Sequence, residues 1–164
     1  MRIFQQWTAL TAVVVPLGML LSMAGLPRAA LAASDPFVGT WVLDPQHSRY
    51  ETAEMPRHME IVMSPAGDGI HYRSQAALGN GRLVSSEYTA DYAGGLAMVV
   101  GTTGIMVPLS QRRVDDRTVD CSYVKGMHIV ATSRRVISAN GSTMTITTVD
   151  GTTGTNVAVF NRRQ

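Results

Sequence analysis

Cysteine is nearly missing from this 164-residue chain. Cys121 stands alone, so no disulfide can form within the chain and the fold must rest on a hydrophobic core. No Cys-His signature accompanies it, and it reads as a small buried hydrophobe. Charge is sparse as well: Asp, Glu, Lys and Arg make up 16% of the residues, with a surplus of only +2. That balance carries no electrostatic footprint for nucleic acid or anionic membrane. Arg112-Arg113, Arg134-Arg135 and Arg162-Arg163 are isolated pairs and not a basic patch. A nucleophile elbow, a phosphate loop and a dinucleotide fingerprint are all lacking, so no cofactor is expected. His47, His58, His71 and His128 show no metal-ligand spacing, and no metal centre is expected. After residue 32 no apolar stripe of helical period occurs.

Long uncharged sequence is present in one place only, between Ile3 and Pro27. It follows Arg2 and runs into Ala30-Leu31-Ala32, the small-x-small pattern of an export cleavage site. Residues 1–32 are predicted to be a cleaved signal peptide, with 33–164 a single domain released to the periplasm or secreted. No Cys lies near the cleavage site to carry a lipid, and no stable membrane anchor is expected after processing. Processing removes Arg2 and Arg28 and leaves 12 basic against 12 acidic residues. A domain of about 130 residues can build one core without staples.

Turn signals then recur at nearly even intervals: Asp68-Gly69, Asn80-Gly81, Gly94-Gly95, Asp115-Asp116, Lys125-Gly126, Asn140-Gly141 and Asp150-Gly151. The segments between them alternate. One face collects Met59, Ile61 and Met63, then Ile70, Tyr72 and Ser74, then Val84, Ser86 and Tyr88, then Val119, Cys121 and Tyr123, then Met144, Ile146 and Thr148. The other carries Glu60, His71, Arg73, Gln75, Glu87, Asp120 and a run of threonines. Strands are predicted at 38–43, 58–64, 69–77, 82–92, 96–100, 106–113, 117–124, 127–137, 142–149 and 155–161. In 127–137 either set of alternate residues could face inward. Asp44 to Arg57, marked by Pro45 and Pro56, reads as a loop or short helical turn. A flat sheet this wide would expose sticky edges. The fold class is therefore all-β: a closed antiparallel up-and-down barrel of about eight to ten strands. Gly39 would let the chain close in at the barrel floor, and Trp41 would plug that end.

Phe37-Val38-Gly39-Thr40-Trp41-Val42-Leu43, followed by Ser48-Arg49-Tyr50, resembles the opening of the lipocalin and fatty-acid-binding-protein (calycin) superfamily. Asn156 to Arg162, with Phe160 as a structural residue, looks like the closing strand of its ten-stranded members. Tyr88-Thr89-Ala90-Asp91-Tyr92 and Thr132-Ser133-Arg134-Arg135-Val136 are similar to segments of small exported bacterial lipocalin-like proteins. The resemblance implies a barrel that takes a small molecule inside. Two departures matter. The Arg-x-Tyr clamp of fatty-acid-binding proteins is replaced by Ala158-Val159-Phe160, and the interval after Leu43 is too short for their helical lid.

The inward face has the composition of a small-molecule cavity, apolar with a few polar points. Its candidate ligand-binding residues are Tyr72, Tyr88, Tyr123, Arg135, Met59, Met63 and Met144. The expected function is to bind a small apolar or amphipathic molecule in the barrel interior. Two alternatives stay open: a cofactor-independent isomerase, cyclase or lyase using the cavity as a reaction chamber, or a filled barrel serving as an interaction module. Ligand identity, any catalysis and oligomeric state are not written in the sequence.

Overall fold

The computed structural model describes residues 35–51, 56–151 and 154–164. The predicted signal peptide and its cleavage site lie outside them. The described residues form β1 (Gly39–Arg49), β2 (Pro56–Ala66), β3 (Gly69–Leu78), β4 (Leu83–Asp91), β5 (Ala93–Ala97), β6 (Val100–Gly101), β7 (Gly104–Ile105), β8 (Leu109–Asp115), β9 (Thr118–Lys125), β10 (His128–Ile137), β11 (Thr143–Asp150) and β12 (Gly154–Arg162), with no helix among them. Ten of these strands have five or more residues, and β6 with β7 is a two-residue hairpin. All pairings are antiparallel, and the neighbour order is β5-β8-β9-β10-β11-β12-β1-β2-β3-β4-β6-β7.

Closure comes from one strand that changes partners. β4 pairs with β3, Tyr92 follows, and β5 pairs with β8. Across this seam the Arg113 amide donates to the Tyr92 carbonyl at 3.2 Å, and buried Gln111 Nε2 donates to the Ala90 carbonyl at 2.9 Å. A clasp reinforces it: Asp35 Oδ2 accepts from the Tyr92 hydroxyl and from Arg113 Nη2, both at 2.6 Å, and the guanidinium lies 3.9 Å over the Tyr92 ring. The sheet is an antiparallel up-and-down barrel, as its alternation predicts.

The core is densest at the end closed by Trp41. Phe37, Trp41, Ile61, Met63, Met144 and Phe160 are all 1% exposed or less. The Trp41 indole N–H donates to the Phe37 carbonyl at 2.9 Å, and Arg162 stacks over the indole at 4.1 Å. The same guanidinium donates to the Val38, Pro36 and Gly141 carbonyls. This fixes the need for glycine at position 39: its φ is +140°, and a Cβ there would come within 2.6 Å of Arg162 Nη1. The two strongest turn signals are hairpin turns, with Gly81 at φ +83° and Gly141 at φ +71°.

Two strand expectations are corrected, and one facing left open is resolved. β1 continues through Pro45 to Arg49 where a loop was expected. Its pairing with β12 is interrupted between Asp44 and Arg49, because Pro45 has no N–H and Asp44 Oδ1 takes the Gln46 and His47 amides itself. The strand expected at 96–100 is divided between β5 and the β6–β7 hairpin. In β10 the ambiguity has a structural cause. Val130 is an extra residue opposite the Val124–Tyr123 step, so Ala131, Ser133, Arg135 and Ile137 face inward while Ile129, paired with Val124, turns out.

Candidate ligand site in the barrel interior

Inward positions change character along the barrel axis. Above the aromatic floor they become small or polar: Ser74, Ala76, Ser86, Cys121, Ser133 and Ala158. Met59, Tyr123, Ile146 and Thr148 near the other end are half-buried, beside buried Leu109 and Ala76.

Arg135 lies between these layers. It is 3% exposed, held inward by β10 between Val119 of β9 and Ile146 of β11. Its Nη2 donates to the Tyr88 hydroxyl at 2.5 Å. The Tyr72 and Tyr88 rings stack with centroids 4.7 Å apart and planes at 15°, and the guanidinium sits 5.1 Å from the Tyr72 centroid. Burial works against the charge, but Cys121 and the phenols of Tyr88, Tyr123 and Tyr72 act the other way and its proton is held more firmly than usual. The same burial pushes the Tyr72 hydroxyl up to about 12, with Arg135 opposing, and lifts Tyr88 well above its ordinary value.

Among the described residues no carboxylate pairs with this cation. The buried polar residues described are Ser74, Gln111, Ser133 and Arg135, with no Asp, Glu or His among them. Ser74 and Ser86 satisfy each other at 2.8 Å. Three buried atoms have no partner: Arg135 Nε, Ser133 Oγ and Gln111 Oε1. Register places them together, since Gln111, Cys121 and Ser133 form one cross-strand row over β8, β9 and β10, and Arg135 is the next inward residue after Ser133. A buried charge with an unpaired donor is costly unless something completes it.

Of the sequence candidates, Tyr72, Tyr88 and Arg135 converge in one cluster, and Met63 abuts it as the cross-strand partner of Tyr72. Tyr123 lies above, half-buried, and Met59 is partly buried against the core. Met144 is elsewhere: at 0% exposure it is wedged in the floor between Ile137 and Phe160, so it seals the barrel and has no surface for a ligand. Sequence reasoning missed Gln111 and Ser133. Ser133 fell in the strand whose facing was open, whereas Gln111, two residues after Leu109, carried a usable signal as an uncharged residue on an inward parity. Two histidines pair outside the barrel, His47 with Asp44 and His71 with Glu87, each at 2.8 Å. Among the described residues no three His, Cys, Asp or Glu groups could hold a metal ion.

No family model matches the sequence, and no curated protein does. Solved structures do match. The chain superposes on the crystal structure of zebrafish ileal bile acid-binding protein complexed with cholic acid with a TM-score of 0.50 and 14% identity. The match covers 79% of this chain and 98% of that one. The fold is that of this bile acid-binding protein's barrel. At this identity the likeness speaks for the calycin architecture alone, and Arg135 and its neighbours must be read from their own chemistry.

Proposed function

We propose that this calycin-type barrel binds a small amphipathic molecule in its interior, with an anionic group set against Arg135 and an apolar body directed toward the end away from Trp41. The observation that carries this reading is the buried guanidinium: its Nε has no partner and no carboxylate stands beside it. A carboxylate, sulfonate or sulfate oxygen would take that donor and the Ser133 hydroxyl, ending two desolvated vacancies at once. The apolar remainder would gain about 25 cal/mol per Å² removed from water, before ordering costs. The solved neighbour is named for bile-acid binding and holds cholic acid, a ligand of this general chemistry. The signal-like residues 1–32 favour action after export, in the periplasm or outside the cell.

The test is binding of an anionic apolar fluorophore, anilinonaphthalene sulfonate, displaced by a medium-chain carboxylate and compared with the matching alcohol. The carboxylate is expected to win by about ten-fold or more, since a charged hydrogen bond is worth roughly 1.5–3 kcal/mol. Arg135→Met is expected to erase that preference. Equal competition by alcohol and carboxylate, or unaltered binding in Arg135→Met, would remove the basis of the proposal.

A further inference from the structure

Gln111 is the buried polar residue that the anion site leaves unused. It is 1% exposed at an inward position of β8, and its Nε2 donates to the Ala90 carbonyl at 2.9 Å across the seam. That bond fixes the amide, since turning it over would set oxygen against oxygen. Oε1 is thereby held in place as an acceptor, and no donor among the described residues reaches it. Cys121, its neighbour in register on β9, does not supply one.

The unmet needs of the interior are unlike one another. Arg135 Nε and Ser133 Oγ have protons to give, whereas Gln111 Oε1 can only accept one. A plain carboxylate brings acceptors alone, so it would satisfy the first two and leave the amide oxygen as it stands. What Gln111 calls for is a proton donor, and charge narrows its type. An ammonium would enter beside the Arg135 cation with no buried Asp or Glu to balance it. An amide N–H would bring a carbonyl in need of a further donor. A hydroxyl carries its proton with neither cost. Register also limits where that hydroxyl sits. Gln111 and Ser133 share one row, their backbones about 10 Å apart across β9, and Arg135 is the next inward residue toward the Trp41 end. Two long side chains reaching in from those positions span a headgroup and not the length of an acyl chain. We infer that Gln111 selects amphipathic acids bearing a hydroxyl in the half of the molecule nearest the anionic group. This rests on the anion site proposed above and adds a specificity-determining residue to it.

The experiment displaces anilinonaphthalene sulfonate with dodecanoate and with hydroxydodecanoates whose hydroxyl stands near the acid, at mid-chain or on the terminal carbon. A wholly apolar wall would penalise every one of these hydroxyls, because a buried hydroxyl without a partner is costly. With Gln111 accepting, the near or mid-chain form is expected to bind about five-fold tighter than dodecanoate. Its methyl ether, which keeps the oxygen and loses the proton, should forfeit that gain, a comparison that needs no variant. Gln111→Met is expected to bind dodecanoate and to reverse the order. Each ratio is taken within one protein, so a change in stability cancels. Hydroxy acids no tighter than dodecanoate, a gain confined to the terminal hydroxyl, or a gain kept by the ether or by Gln111→Met would each overturn this inference alone, provided carboxylate still outcompetes alcohol. Loss of that carboxylate preference would overturn the anion site and this inference together.

Discussion

The two ends of this barrel are built by opposite rules. Around Trp41 the inward positions are large and fully buried, and Arg162 ties the strand ends to the Val38, Pro36 and Gly141 carbonyls. Toward the β9–β10 hairpin small and polar inward residues such as Cys121 and Ser133 stand among larger ones such as Leu109 and half-buried Tyr123, buried donors are unpaired, and apolar side chains stand in solvent. Tight packing and full hydrogen bonding stabilise, whereas vacancies and exposed apolar groups do not. The contrast indicates that one end carries stability and the other was spared from carrying it.

Substitutions can break that contrast. Trp41→Ala removes the plug and its hydrogen bond to Phe37, and should cost about 3–5 kcal/mol in a urea titration; a cost under about 1 kcal/mol would show that the floor is not the anchor. Alkali should act next. The Tyr72 phenol ionises near 10 in the unfolded chain and only at about 12 when buried. Its raised value contributes stability that is complete below pH 10 and lost as pH climbs through 12, roughly 2–3 kcal/mol. Tyr72→Phe should flatten the decline, measured by denaturation at stepped pH. Arg135→Met removes a buried cation that has no carboxylate partner, but also the donor to the buried Tyr88 hydroxyl, so the two effects offset and stability should stay within about 1 kcal/mol of wild type. A large loss would make that arginine a strut of the fold. The smallest effect belongs to Met127→Ser at the hairpin tip, within about 0.5 kcal/mol by thermal melting.

Much of the architecture was legible because strand alternation is imposed by burial. Met59 to Met63, Ile70 to Ala76, Val84 to Ala90 and Val119 to Tyr123 all face the side their parity indicates. What stayed hidden depended on local backbone events. The extra residue at Val130 reverses facing within one strand, and the Asp44 side chain takes over amides that a continuous ladder would have used. The candidate site was half legible. Tyr72, Tyr88 and Arg135 could be named one by one, but that Arg135 would lack a carboxylate depends on which strands lie beside it, and neighbour order is not a property of any single strand.

The strand that holds Trp41 has β2 on one flank and β12 on the other, with Val42 opposite both Glu60 and Asn161. Its second neighbour is therefore distant in sequence, across the rest of the barrel. Until β12 docks, the folding chain presents a bare β edge and an uncovered indole, and no nearer segment takes its place beside β1. Deleting β12 should thus abolish the whole structure and not merely fray one end of it.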